Sequence, residues 1–455
     1  MLKRKFAPVL ERYLIEEKNK ILLVNGARQV GKSYLIRHIG KRLFKNFVEI
    51  NLKEDSESDR VFAQVKGTTD LYMRLSQYTS RTLGNKEDTL IFLDEIQCYP
   101  HLLTMLKFLN QENRYRFIAS GSELGIALYK CSSVPLGSIA TEQMFPLDFE
   151  EFLWATGMSE EWIAEMREKF RSKQSLSQSE HNLMLKRFQY YLLVGGLPQA
   201  VNIYLEHRNM VPVRKIQTDI HELYKIDASQ YDEDNRLSIR KIYDLIPSAL
   251  ENKKKRMRYN KIENKDWKKF SDYAEEFEYL TSSGIALEVS AISNPRFPLI
   301  ESDQKKLVKL YLNDVGLLTD LLYHLNVNAV LQDIRSINLG AVYESVVAQE
   351  LKAHGFNLHY YDNKKKGEVD FLIDDFESLT VLPIEVKSGK DYTQHSALTK
   401  FLNDPEYNIT SAVVLSNERE VFIKKGVTYM PIYYIMFYNN QSTTSEVFLP
   451  ELEMP

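Results

Sequence analysis

The chain has 455 residues, 44% hydrophobic and 27% charged, which is the composition of a globular protein long enough for two to four domains. A net charge of −3 argues against a protein coated in positive charge for wrapping nucleic acid, while leaving room for a local basic patch. No apolar run reaches 18 residues, the N-terminal MLKRKFAPVL lacks the apolar core of a secretory signal, and two cysteines, Cys98 and Cys131, make neither a disulfide framework nor a zinc cluster. A reducing cytoplasm is the expected compartment.

The first 150 residues alternate short runs rich in Val, Ile and Phe with longer helical patterns. ILLVNG (21–26), FVEINL (47–52), TLIFLDE (89–95) and YRFIASG (115–121) read as strands, with a further strand around 140–147. SYLIRHIGKRLF and LLTMLKFLNQE read as helices between them, so a parallel sheet covered on both faces is predicted. PLDFEEFLWATG opens an amphipathic helix after Pro146, and 158–233 is helical, with GGLP at 195–198 stopping a helix. Over 234–335, helices precede an extended piece, ALEVSAIS then NPRFPLI, followed by KLVKLYLNDVGLL. That order is compatible with a winged helix-turn-helix. From about Asn338 a third unit begins: the helix GAVYESVVAQELKAHG, the strands HYYD, EVDFLID and VLPIEVKSG, another helix, then AVVLSN. There are no internal repeats, and the tail FYNNQSTTSEVFLPELEMP is expected to be loosely held.

GARQVGKS at 26–33 follows the first strand and opens a helix. It matches G-x-x-x-x-G-K-[ST] through Gly26, Gly31, Lys32 and Ser33. Glycines let backbone N–H groups turn inward to cradle phosphate oxygens, and the helix N-terminus adds favourable partial charge. Lys32 would reach the β/γ-phosphates of ATP and the Ser33 hydroxyl would ligate Mg²⁺; Arg28 and Tyr34 stand beside them as nucleotide-binding candidates. In LIFLDEIQ, Asp94 ends a buried strand where it would hold Mg²⁺, and Glu95 would orient or deprotonate the attacking water. YRFIASGSE ends in Ser120, Gly121 and Ser122. Either serine could sense the γ-phosphate or simply cap the strand.

A second constellation lies in GEVDFLIDDFESLTVLPIEVKSG (367–389). Asp370 and Glu385 fall on consecutive strands, and Glu385 and Lys387, at i and i+2, leave one face of one strand. Two carboxylates and a lysine on one face can bind Mg²⁺ and activate water for phosphodiester attack, with Glu344 on the preceding helix as a third carboxylate. The same alternation also suits a half-exposed strand. Between the two sites, ENKKKRMRYNKIENKDWKKF (251–270) holds nine Lys/Arg against three acids; it reads as a solvated face or as a phosphate-contacting patch through Lys253, Lys254, Lys255, Arg256 and Arg258.

Glu344, GEVD and IEVKSG together resemble the PD-(D/E)XK nuclease fold over roughly 338–420, with Glu368-Val369 in place of the proline position. NGARQVGKSYLI, LIFLDEIQ, FIASGSE, FPLDFEEFL, GGLPQAV and KLYLNDVGLL resemble bacterial and archaeal AAA-like ATPases that carry a C-terminal domain of unknown function. The resemblance implies four regions: an AAA-like P-loop ATPase domain (1–157), a helical linker (158–233), a winged-helix-like region (234–335) and an α/β PD-(D/E)XK nuclease-like domain (336–455). Such proteins usually carry a Gly-Arg pair before the P-L-S/D-F-x-E-F stretch, where this chain has Ser138. If that arginine stabilises γ-phosphate charge, its loss would slow hydrolysis, and Arg28, Arg114 and Arg116 are the candidates to compensate. The leading expectation is an ATPase whose nucleotide state controls a DNA-directed, Mg²⁺-dependent nuclease module. The alternatives are a non-cleaving DNA-binding switch, and a signalling ATPase that recognises a protein through 158–230, where RFQYYLLVGGLPQAVNIY also suits core packing.

Overall fold

In the computed structural model the described residues are 1–440, apart from 18, 56–59, 80–82, 126, 128–136, 232–235, 300–302, 333–338 and 390. Cys131 and most of the tail lie outside them. Five strands build the first sheet: β1 (Ile21–Asn25), β2 (Asn46–Asn51), β3 (Thr89–Asp94), β4 (Arg116–Gly121) and β5 (Ile139–Gln143). All pairings are parallel and the order is β2-β3-β4-β1-β5. β3 is buried along its whole length, as a central strand covered on both faces must be. Because the strands are parallel, the turns after β1, β3 and β4 emerge at one edge, and these turns carry the P-loop, Asp94-Glu95 and Ser120–Ser122.

Helices fill 149–231, beginning with Phe149–Ala155, whose N-terminus is closed by a capping box between Asp148 and Glu151. The helix Gln178–Val194 stops at Gly195, where a Cβ would come within 2.0 Å of Asp314 Oδ1. Gly196 N donates to Asp314 Oδ2 at 2.6 Å, so the GGLP turn is shaped by close contact with the NDVGLL stretch. In the aromatic stretch before it, Tyr191, Leu192, Leu193, Val194, Leu197 and Val201 are buried core residues.

The second sheet has eight strands: β6 (Ala286–Ile292), β7 (Asp303–Leu312), β8 (His359–Asn363), β9 (Gly367–Asp375), β10 (Thr380–Val386), β11 (Ala412–Ser416), β12 (Phe422–Lys424) and β13 (Val427–Pro431). Their order is β12-β13-β11-β10-β9-β8-β6-β7. The hairpin β6–β7 follows the helix Ala274–Ser282, as a wing would, and β6 also pairs parallel with β8. The regions 234–335 and 336–455 therefore share one sheet. The NPRFPLI piece forms no strand in its described part, residues 294–299. One apolar core runs through every region, taking in Leu10, Leu193, Tyr243, Tyr311, Val346 and Tyr433.

Candidate functional site

At the first sheet's edge, Gly26 (φ 150°) passes so close to Met144 that a Cβ would lie 2.2 Å from its carbonyl oxygen. Gly31, left-handed at φ 97°, caps the helix Lys32–Leu43, aiming that N-terminus into the loop. Buried Lys32 donates from Nζ to Gly26 O (2.8 Å) and Ala27 O (2.9 Å). Burial lowers its pKa to about 8, against the opposing pull of Glu95 and Asp94. Asp94 accepts hydrogen bonds from the Ser120 and Ser33 hydroxyls; burial still holds its carboxyl above the usual range. A hydroxyl and a carboxylate side by side are a donor set suited to Mg²⁺. Glu95 follows in the left-handed conformation (φ 57°) and accepts from Gln97 Nε2. At Gly121 a Cβ would meet Gln97 Oε1 at 2.1 Å, so the Gln97 side chain fills the space that the glycine leaves beside Glu95.

Ser120 thus engages Asp94, while Ser122 lies 3.4 Å from Arg28 Nε. Arg28 also pairs with Asp227 of the helix Met210–Tyr231 at 2.6 Å, which ties the P-loop to the helical region. Tyr34 is 56% exposed and stacks on His38 at 6.4 Å. Ser138 sits at the other edge of the sheet: Ile139 pairs with Ile21 and Gln143 with Asn25, so about 13 Å of strand separates it from the P-loop. Arg116 opens β4 at that far edge, and Arg114 just before it lies over the Tyr72 ring. Of the three arginines considered, only Arg28 is at the nucleotide edge. Position 138 does not face this chain's own P-loop.

The second constellation gathers around β9 and β10. Ile384 pairs with Phe371, so extending the register by one residue sets Glu385 opposite Asp370. Val386 N donates to Asp370 Oδ2 at 2.9 Å, and Lys387 Nζ contacts Glu385 Oε1 at 2.6 Å. Glu385 Oε2 is buried with no hydrogen-bond partner. Burial, with the charge of Asp370 adding, pushes the Glu385 carboxyl up to about 8. Buried Glu344 feels the charge of Asp370 from the helix Gly340–Ala353, and its pKa is raised by burial first and Asp370 second. The carboxylate oxygens of Glu344, Asp370 and Glu385 do not all lie within 4.8 Å of one another, so the three acids share a neighbourhood without forming a closed ligand shell; the buried, unpartnered oxygen of Glu385 is the feature a divalent cation would complete.

Sequence reasoning missed the cations that already stand in this group. Lys255 Nζ contacts Glu344 Oε1, Lys309, with no exposure, lies 2.6 Å from Glu368, and Arg256 pairs with Asp362. Three of the five basic residues assigned to phosphate contact, Lys254, Lys255 and Arg256, therefore stand within ion-pair distance of carboxylates. The signal was present as a run of basic residues, but its partners lie about a hundred residues away.

Another missed feature joins the two sites. Among the described residues, the one set of three potential metal ligands within 4.8 Å of one another is Asp148, Glu350 and His354. Lys5 Nζ, however, sits 2.6 Å from Asp148 and 2.8 Å from Glu150, so this set reads as a charge-balanced junction and not as a metal centre. His354 Nε2 lies 3.0 Å from Asp148, and Phe149 N donates to Glu350 Oε1 at 2.8 Å. Burial alone would lower His354, but Asp148 and Glu350 hold its imidazole above the usual value; burial and Asp148 push Glu350 up to about 7. Arg4 extends the network, bonding Glu151 and donating to Val30 O of the P-loop at 2.9 Å.

A family profile described as an AAA domain matches residues 18–153. Two domains of unknown function, DUF8612 and DUF4143, match 185–329 and 339–435. Among solved structures, a Walker-type ATPase of Pyrococcus abyssi is 16% identical, covering 71% of this chain and 96% of its own, with a TM-score of 0.43. The Aeropyrum pernix ORC1 protein in complex with DNA is 14% identical, covering 73% and 91%, with a TM-score of 0.28. No curated protein matches. No helix among the described residues is long and apolar enough to cross a membrane. The N-terminal third therefore matches an AAA domain and carries a P-loop on a parallel sheet, and a mixed sheet forms the C-terminal part.

Proposed function

We propose that the chain is a cytoplasmic ATP-hydrolysing protein whose nucleotide state controls a DNA-directed, Mg²⁺-dependent nuclease centre at Glu344, Asp370, Glu385 and Lys387. In the ATPase domain, Gly26, Gly31 and the following helix N-terminus bind phosphates, and Lys32 moves from the loop carbonyls onto them. Ser33 and Asp94 would hold magnesium, which would supply charge neutralisation to the phosphate oxygens; Glu95 would take the proton of the attacking water, and Ser120 keeps Asp94 in place. At the second centre, Glu344, Asp370 and Glu385 would hold a divalent ion that supplies Lewis acidity to a phosphodiester. Lys387, fixed at 2.6 Å from Glu385, would orient the attacking water or the phosphate.

The observation that carries the nuclease reading is the buried, unpartnered Oε2 of Glu385 opposite Asp370. It is tested with linear, supercoiled, single-stranded and branched DNA and with RNA, in Mg²⁺ or Mn²⁺, with and without ATP. Cleavage by the wild type that disappears in Asp370→Ala is the expected result. The pairing of Lys255, Lys309 and Lys387 with carboxylates favours a second reading, a non-cleaving DNA-binding or protein-partner switch on a nuclease-like scaffold. DNA-stimulated ATP turnover without cleavage of any substrate would select it.

A further inference from the structure

We infer that Lys255 is a built-in cation that closes the carboxylate centre, and that the strap 253–258 carrying it must lift before a divalent ion can enter. This rests on the reading of Glu344, Asp370 and Glu385 as metal ligands. The sequence KKKRMR would ordinarily face water, yet the Lys255 side chain is only 16% exposed and lies against a Glu344 side chain that is 3% exposed. The other oxygen of Glu344 accepts from Tyr311 OH at 3.1 Å, so with Lys255 in place both oxygens of the carboxylate already carry a donor.

The strap is tied down along its length. Arg256 pairs with Asp362, Lys254 Nζ lies 3.7 Å from the same carboxylate, and Met257 N donates to Val308 O at 3.1 Å. The Lys255 backbone itself is at φ 49°, in the left-handed region that L side chains rarely adopt, so the ion pair is made from a constrained conformation. Against this, Glu385 keeps one buried oxygen unpartnered. The group is thus arranged for more positive charge than its lysines deliver, and Lys255 is the one whose departure exposes a further ligand. A dication at Glu344 would stand against the Lys255 ammonium already in contact with it, so the two cations compete for one place.

The test is Mn²⁺ binding to the nucleotide-free full chain, followed by electron paramagnetic resonance. Lys255→Met should bind Mn²⁺ on the order of tenfold tighter than wild type. Lys255→Arg, which keeps the cation, should bind as weakly as wild type, and adding Asp370→Asn to Lys255→Met should erase the gain. Equal affinity in wild type and Lys255→Met, lost from both with Asp370→Asn, would overturn the strap and leave the metal site standing. Tightening that survives Asp370→Asn, or no Mn²⁺ binding in any form, would remove the metal-site reading and the strap with it. Because Lys255→Met leaves Glu344 buried without its partner, a measurement on the wild type stands beside it. Amine-reactive labelling of Lys255, read by mass spectrometry, should rise several-fold at saturating Mn²⁺. Unchanged labelling under saturation would overturn the proposal.

Discussion

Lys32, buried, and Lys255, half-buried, are both cations at a phosphate-chemistry candidate site, but they are held in opposite ways. Lys32 rests on two neutral backbone carbonyls, and burial lowers its pKa; a phosphate would outcompete both carbonyls for it. Lys255 rests on a carboxylate. Burial alone would lower its pKa, but Glu344 and Asp370 outweigh that and hold it well above the ordinary value. The first site is therefore preorganised for an anionic ligand, whereas the second has its own counter-charge in the place a ligand would take. The difference teaches that motif residues alone do not report readiness; what already pairs with them does.

The largest effect that would sharpen this contrast is at Lys387. Lys387→Ala should abolish nucleic-acid cleavage while leaving ATP turnover unchanged, as followed by parallel gel and phosphate-release assays. Unaltered cleavage would remove Lys387 from the chemistry. Glu95→Gln should act at the other site, lowering ATP hydrolysis by about 10²–10⁴-fold with nucleotide affinity retained. Fluorescent-nucleotide binding and single-turnover hydrolysis would separate the two quantities.

The junction between the two halves gives the next effect. His354→Ala breaks a buried pair and should cost about 3 kcal/mol, seen as a lowered denaturant midpoint. The pH dependence contributed by this junction has one sign. His354 is raised, so its stabilisation is full below its unfolded value near 6.5 and fades as pH rises through its higher folded value; Glu350, raised to about 7, also makes the folded state bind the extra proton. Because His221 and His181 are lowered by burial and act in the opposite direction, the readout is the difference: the stability gap between wild type and His354→Ala should narrow from pH 6 to pH 8.5. The smallest effect belongs to Lys32. Its ammonium is the phosphate-binding form and it loses its proton near pH 8, so ATP affinity should be flat below that value. Above it, affinity should weaken by up to about tenfold per pH unit, measured by calorimetry. A flat profile to pH 10 would mean that Lys32 is not the residue that meets the phosphates.

How much of this was legible in the sequence follows from the range of each interaction. The first sheet and the P-loop were readable because strand alternation, two glycines and a lysine act within a few residues. The Asp370–Glu385 pairing was readable for the same reason, since one tight antiparallel connection sets the register. The Lys255–Glu344 contact spans 89 positions, and a basic run carries no mark of which carboxylate it will find. The parallel pairing of β6 with β8 was equally hidden, because strand residues show their faces but not their neighbours. Ser138 shows a third limit: a position matched by motif was given a role that the direction of β5 does not permit within one chain.

The shared sheet also bears on how this architecture can change over time. Two regions that meet through a flexible tether can be exchanged, duplicated or lost one at a time. Here β6 supplies the neighbour that β8 needs on one side, with β9 on the other. A piece starting at 336 would present β8 as a bare edge, and one ending at 335 would leave β6 equally unfinished, each open to pairing with other chains. The boundary drawn along the sequence at 335 is therefore not a seam in the molecule, and descendants of this chain are expected to inherit the hairpin and the sheet as one unit.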